Sequence, residues 1–206
     1  IRLRKLKLNN ANVSNSILDE YFSFAHFSDL SYLDLSSNRL THFSTELLGI
    51  NKNLEYLNLA NNFIRAIQIN LDFLIFFDMS SNSLEKVNRS SIRINYDKTT
   101  SISLKRNNIA GVMDVTDYVF EIYFLDLSYN RLSSIRKQYK YALDPVYLDL
   151  SNNQLESLPD DIFQNEILEL YQSKMRHLDL SVNNFRNNNL STSLFSPLVN
   201  LEYLNL

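Results

Sequence analysis

The stretch Leu54-Glu-Tyr-Leu57-Asn-Leu59-Ala-Asn-Asn62-Phe-Ile64 sets four apolar side chains and one asparagine at fixed spacing. Its first, fourth, sixth and eleventh positions are apolar, and its ninth is asparagine. Around the sixth position, apolar and polar residues alternate, which is the period of a β-strand with one face turned inward. The stretch therefore predicts a short strand followed by a turn at the asparagine.

The same pattern returns along the whole chain. Leu30-Ser-Tyr-Leu33-Asp-Leu35-Ser-Ser-Asn38-Arg-Leu40 fits it at every position, and further copies run 74–84, 99–109, 122–132, 145–155 and 175–185. A degenerate first copy runs 3–13, and a truncated ninth begins at Leu201. The period is about 25 residues, which is typical of units that bury their apolar faces only by stacking on neighbours.

The ninth position is the most regular one. Asparagine fills it in seven copies, as Asn38, Asn62, Asn82, Asn107, Asn130, Asn153 and Asn183, whereas the first copy has Ala11. An amide side chain carries both donors and an acceptor, so it can satisfy backbone groups that a turn leaves unpaired. We expect these residues to form a structural asparagine ladder, one amide in each coil.

This pattern resembles the leucine-rich-repeat superfamily. The continuation Leu155-Glu-Ser-Leu158-Pro159-Asp-Asp-Ile-Phe163 is similar to its "typical" subclass, which includes Toll-like receptors and chaoptin-like adhesion proteins. The resemblance implies an α/β repeat solenoid: a horseshoe with a parallel β-sheet on the concave face and an irregular, partly helical convex face. Residues 1–206 are then a single array of about eight repeats plus the truncated ninth, a fragment without end caps.

The segments between the copies have their own pattern. An apolar residue recurs three places after the eleventh position, as Phe43, Ile67, Val87, Val112, Ile135 and Leu158. The longer spacers have room for a helical turn or two, and we predict helix within 16–26 and 160–171.

Composition excludes several function classes. The net charge of −3 is too small to indicate a nucleic-acid partner, and the absence of cysteine excludes disulfides and thiolate chemistry in this chain. The most apolar stretch, 71–79, contains Asp72 and Asp78 and is too short to span a membrane. The three histidines lack metal-ligand spacing, and two glycines make no phosphate loop. We expect no enzyme activity, cofactor or metal.

The third position of each copy carries the candidate binding residues, because it faces outward from the strand. It is aromatic or histidine in most copies, as Tyr32, Tyr56, Phe76, Phe124, Tyr147, His177 and Tyr203. Clustered aromatics on a concave face are typical interface anchors, although they also stabilise a sheet by packing on each other. The fifth copy replaces the aromatic with Ser101 and adds Lys105 and Arg106, a basic strip that suits an acidic partner.

The fifth position places Asp126, Asp149 and Asp179 on consecutive strands. Carboxylates this close raise each other's pKa values or attract a cation, and a close pair also occurs in glycoside hydrolases. The favoured interpretation is an ordinary consensus residue that faces water and bonds to the neighbouring serines.

Three sequons provide candidate glycosylation sites at Asn12, Asn88 and Asn189. The chain's Asn, Ser and Thr content produces about that number by chance, so only their position off the strands is informative.

Together these features predict an extracellular or cell-surface module that binds a protein, of adhesion or receptor type. The alternatives are an intracellular scaffold or adaptor, and repeats that recruit substrate for a larger enzyme. Homophilic or dimeric association remains open.

Overall fold

The computed structural model describes residues 2–21, 26–48, 53–71, 73–87, 91–94, 100–114, 122–137, 143–164, 172–186 and 190–206. In chain order the strands are β1 (Lys5–Lys7), β2 (Tyr32–Asp34), β3 (His42–Ser44), β4 (Tyr56–Asn58), β5 (Ala66–Leu71), β6 (Phe76–Asp78), β7 (Ile92–Ile94), β8 (Thr100–Ser103), β9 (Ala110–Asp114), β10 (Ile122–Asp126), β11 (Arg131–Arg136), β12 (Tyr147–Asp149), β13 (His177–Asp179) and β14 (Tyr203–Asn205). Among the described residues one α-helix, α1, spans Asn15–Tyr21. Short 3₁₀ helices span Thr45–Leu48 and Thr192–Phe195.

The main sheet takes one strand from each copy of the repeat. Its nine strands lie in the order β1-β2-β4-β6-β8-β10-β12-β13-β14, and every neighbouring pair is parallel. The register sets each third position opposite the next, for example Tyr32 against Tyr56. The predicted solenoid with one parallel strand per coil is confirmed.

The other side of each coil is less regular. Short parallel sheets form there from β3-β5-β7 and from β9-β11. The helix predicted within 16–26 is present as α1, and positions 22–25 lie outside the described residues. The helix predicted at 160–171 is wrong over 160–163, where the chain makes turns closed by Pro159 and Asp161 carbonyls; 165–171 lie outside the described residues.

The core is continuous from coil to coil. The apolar positions of one repeat, Leu54, Leu57, Leu59 and Ile64, are all fully buried, and they belong to one cluster that extends from Val13 to Leu198. Because each coil supplies only a thin layer, this burial exists only where neighbouring coils stack.

One convex position departs from the repeat. Of the recurring apolar residues after the eleventh position, Val112 is 52% exposed while the next residue, Met113, is buried. Gly111, with φ +79°, lies where the pairing of β9 and β11 shifts by one residue. The extra residue of the bulge is Ser133 in β11, whereas β9 alternates without interruption, so Met113 faces the core beside Ile135 and Val112 faces outward.

Each asparagine of the ladder joins two coils. Asn130 Nδ2 donates to the carbonyls of Leu104 in the preceding coil and Leu127 in its own, both at 3.0 Å, while its Oδ1 accepts from Ile109 N at 3.1 Å. The same set of bonds recurs at Asn62, Asn82, Asn107, Asn153 and Asn183. Asn38 bonds to the first coil, where Ala11 contributes only its backbone N–H.

The residue before each ninth position has a left-handed backbone. In every full copy φ there lies between 53° and 56°, at Asn10, Ser37, Asn61, Ser81, Arg106, Tyr129, Asn152 and Val182. This conformation is unfavourable for a residue with a Cβ, above all for β-branched Val182. The amide bonds of the ladder hold it in place, which turns the eighth side chain outward.

Candidate functional site

The aromatic side chains of the third positions form a stacked column across the main sheet. We name Tyr32, Tyr56, Phe76, Phe124, Tyr147, His177 and Tyr203 the aromatic column. Ring centroids are 4.0 Å apart for Tyr32–Tyr56 and 4.4 Å for Tyr56–Phe76, and the planes are nearly parallel. Beyond the fifth coil the spacings are 4.5 Å for Phe124–Tyr147, 4.1 Å for Tyr147–His177 and 4.1 Å for His177–Tyr203.

These spacings report the curvature of the sheet. Parallel strands lie about 4.8 Å apart, whereas the rings that project from them are 4.0 to 4.5 Å apart. Side chains converge in this way when they stand on the inner side of a curve. The column therefore lines the concave face.

Two tyrosines of the column have raised pKa values and remain accessible. Burial and the neighbouring Tyr32 hydroxyl raise the pKa of Tyr56 to about 12. Burial, followed by the charges of Asp149, Asp126 and Asp179, raises the pKa of Tyr147. Both side chains are half-buried, so each presents an apolar ring with a hydroxyl that can donate or accept.

The column is interrupted once. Ser101 on β8 pairs with Phe76 on one side and Phe124 on the other, so no ring stands at the fifth strand. At the first strand the Lys5 ammonium lies 4.1 Å from the centre of the Tyr32 ring and covers that end by a cation–π contact.

A row of carboxylates runs beside the column. Asp126, Asp149 and Asp179 pair across β10, β12 and β13, as the sequence predicts. The pKa of Asp149 is raised by burial and by the charges of its two neighbours, against the hydrogen bonds from Ser151. Partial burial also disfavours the charge of Asp179, but bonds from Ser181 and Asn205 outweigh it and lower the pKa of Asp179.

These carboxylates do not converge on a common point. Each uses one oxygen to accept from the serine two residues later, as Asp126 does from Ser128 N at 2.9 Å and Ser128 Oγ at 2.6 Å. Within the described ranges no group of three or more acidic, histidine or cysteine side chains is arranged to hold a metal ion. The row therefore acts as a turn-stabilising feature that makes this part of the concave face acidic.

The basic strip of the fifth coil lies at the end of β8. Lys105 Nζ is 3.7 Å from Asp126 Oδ2, and exposed Arg106 lies 5.3 Å from the centre of the Tyr129 ring. The exposed aromatics Tyr129 and Tyr123 belong to this surface but were missed, because they stand at eighth and second positions rather than in the column. A bulge in the pairing of β10 with β8 turns Tyr123 outward, and the sequence carries no signal for it.

Of the three sequon asparagines, the structure describes only Asn12. Asn12 is exposed in the turn after the first strand. Asn88 and Asn189 lie outside the described residues.

Comparison with known proteins agrees with this architecture. A family model described as Leucine Rich Repeat matches residues 29–49 and 146–165. YopM, a leucine-rich effector protein from Yersinia pestis, superimposes with a TM-score of 0.51 at 20% identity, over 98% of this chain and 65% of that one. The leucine-rich repeat domain of APL1B superimposes with a TM-score of 0.51 at 19% identity, over 98% and 75%. Comparison with curated proteins gives no significant match.

The family match and the shared architecture support the leucine-rich-repeat superfamily, and identities this low show the fold alone. Such a fold suggests protein–protein recognition, because stacked repeats form extended concave surfaces. No helix in the described part of the chain has the length and apolarity needed to cross a membrane.

Proposed function

We propose that this chain is the recognition region of an extracellular or cell-surface protein, and that it binds a protein partner on its concave face. The observation that carries the proposal is the aromatic column, whose rings are stacked in register on seven of the nine main strands and remain accessible. Aromatic residues contribute most to the energy of protein interfaces when they stand near the centre of a rigid surface.

The column is preorganised for binding. Tyr56, Tyr147 and His177 are each held between the rings of two neighbouring strands, and the other rings of the column each stack on one, so much of their side-chain entropy is already lost in the free protein. Binding then avoids about 0.5–1.5 kcal/mol of ordering cost for each side chain.

The extracellular setting is supported by the similarity of 155–163 to the typical subclass. The full open reading frame tests it. We expect a secretory leader and cysteine-bearing caps; caps without cysteines and no leader would favour an intracellular scaffold instead, and an adjoining catalytic domain would favour substrate recruitment.

The binding role is tested by Tyr147→Ala. Tyr147 stacks on Phe124 and His177 at the middle of the second half of the column. The variant should bind the partner at least about tenfold more weakly, the loss expected for an interface anchor. Titration by calorimetry, against a partner captured with the unaltered chain, measures the change.

Phe63→Ala is the matched control, because Phe63 is an aromatic residue that is 59% exposed and lies outside the column. It should leave the affinity unchanged. Equal affinity of the Tyr147→Ala and unaltered chains, with both folded by circular dichroism, would contradict the proposal.

A further inference from the structure

At Ser101 the aromatic column lacks one ring, which leaves a slot between the rings of the two neighbouring strands. We name Ser101 and the two rings beside it, Phe76 and Phe124, the Ser101 slot. Phe76 stacks on Tyr56 and Phe124 stacks on Tyr147. Among the described residues, no ring or cation lies against the faces of these two phenylalanines that are turned toward Ser101.

The width of the slot matches one planar side chain. Phe76 and Phe124 are separated by two strand steps, which is about 9 Å on this curved sheet. A ring inserted midway would lie about 4.5 Å from each wall, and the column already stacks rings at 4.0 to 4.5 Å. The small Ser101 side chain leaves this space unfilled.

The walls and rim of the slot are apolar. Phenylalanine, which has no hydroxyl, occurs in the column only at the two walls, whereas the other members are tyrosine or histidine. At the second positions beside the slot, Ile75 is 39% exposed and Tyr123 is 50% exposed. Below them, the Thr100 hydroxyl is already used in a bond to the Leu74 carbonyl. This environment suits an uncharged ring.

The charges around the slot constrain which residue can lie next to an inserted ring. Asp78 and Asp126 lie on the strands either side of Ser103, and Lys105 and Arg106 follow Ser103 in the same coil, so these four charges cancel. Asp126 is paired with Lys105. Arg106 has no carboxylate within ion-pair distance among the described residues, and it is exposed. A cationic side chain therefore gains little here, while an acidic residue beside the inserted ring has a partner in Arg106.

We propose that the Ser101 slot receives a single aromatic side chain of the protein partner, which completes the column, and that an acidic residue next to this side chain pairs with Arg106. The proposal rests on the proposed function and names the chemistry of the partner: a segment that projects a phenylalanine or tyrosine beside a carboxylate.

The test uses the peptide acetyl-Glu-Phe-Glu amide as the probe and acetyl-Glu-Leu-Glu amide as the matched control. In NMR titrations the phenylalanine peptide should shift the resonances of Ser101, Phe76 and Phe124, and bind at least about fivefold more tightly than the leucine peptide, because only the ring stacks. Shifts spread over the concave face, or equal binding of both peptides, would overturn the proposal.

Two substitutions of Ser101 separate a filled slot from an open one. Ser101→Tyr places the chain's own ring between the walls, so probe binding should fall at least about tenfold and Tm should rise by about 2–4 °C. Ser101→Ala leaves the slot open and should retain the probe. If Ser101→Tyr does not fold, Phe124→Ala removes one wall and should abolish the probe's preference for phenylalanine over leucine. Retained preference would overturn the proposal.

The failure of this inference is distinguishable from failure of the proposed function. If a natural partner bound Tyr147→Ala more weakly but bound Ser101→Tyr as tightly as the unaltered chain, the concave site would stand and the slot would be ruled out. Lower affinity of both variants for the same partner would support the slot. So would an Arg106→Gln variant that loses affinity only for partners and peptides that carry the acidic residue.

Discussion

At the scale of single residues, the stability of this protein depends on polar groups that join adjacent coils. The amide nitrogen of a ladder asparagine donates to backbone carbonyls of two coils, and its amide oxygen accepts from a backbone N–H of the preceding coil. Ladder members from Asn38 to Asn153 are buried, so water cannot replace a lost partner there.

Asn130→Ala should therefore lower the free energy of unfolding by about 1–3 kcal/mol, the cost of unsatisfied buried groups. Chemical denaturation measures it. Asn108→Ala is the control: its side chain makes no hydrogen bond among the described residues, and its removal should change stability by less than about 0.5 kcal/mol. Equal effects of the two substitutions would contradict the role assigned to the ladder.

Asparagine substitutions at Asp149 and Asp179, two members of the carboxylate row, should change the stability of the protein in opposite directions. Because the pKa of Asp149 is raised on folding, its ionised form destabilises the native state, and this penalty is present at pH 7 and is relieved as the pH falls toward 3.8. Because the pKa of Asp179 is lowered, its ionised form stabilises the native state above pH 3.8, and the gain is lost only as the pH falls through the lowered value.

We therefore expect Asp149→Asn to raise Tm at pH 7 and Asp179→Asn to lower it. Thermal unfolding between pH 3 and 7 should show the advantage of Asp149→Asn disappearing toward pH 3.8, whereas the deficit of Asp179→Asn persists to lower pH. Shifts of the same sign at pH 7 would show that the two carboxylates do not differ in this way.

At the scale of elements, buried charged groups fix the irregular segments against the regular sheet. Lys137 is the first residue after β11, and its side chain is only 3% exposed. Its ammonium donates to the carbonyls of Asp161 and Gln164, both at 2.9 Å. Asp144, which is buried, accepts from Ser173 Oγ and from the backbone N–H of Lys174 and Met175. These contacts anchor the longest spacer of the array at both ends.

Lys137→Met should destabilise the chain by about 1–3 kcal/mol, since it keeps the length of the side chain but removes its hydrogen bonds to two carbonyls and its 3.3 Å ion pair with the Asp161 carboxylate. Lys86→Met is the control, because Lys86 is exposed. Amide hydrogen exchange should also increase over 160–164 in the Lys137 variant alone. Unchanged exchange there would show that the ammonium does not hold this turn.

At the scale of the whole molecule, one continuous core and one curved sheet account for both stability and recognition. A strand between two others is buried from both sides, whereas β14 has a neighbour only on one side. The same curvature brings the third-position rings closer together than their strands, which makes the column a rigid concave surface.

The position of a leucine in the array should therefore decide the effect of its truncation. Leu127→Ala, at a fully buried residue of the sixth coil, should cost about 2–5 kcal/mol. Leu204→Ala, at a residue of β14 that is 39% exposed, should cost less than about 1 kcal/mol. Urea denaturation compares them, and similar losses would contradict a core built by stacking.

The spacing of leucine and asparagine determined the solenoid, the register of its sheet and which side chains share the concave face. These features follow from local periods of two and about 25 residues, and the sequence displays both directly. The sequence also indicated the break in the column at Ser101, because that position alone lacks a ring between two aromatic coils.

Only the tertiary structure decided the rest. The bulges at Tyr123 in β10 and at Ser133 in β11 shift the pairing by one residue, which no periodic pattern encodes. The anchors at Lys137 and Asp144 join residues that are 24 to 31 positions apart. The opposite pKa shifts of Asp149 and Asp179 arise from burial and neighbouring strands, although both residues occupy the same repeat position. The physical reason is common to all of them: each depends on contacts between coils, whereas a repeat pattern describes one coil at a time.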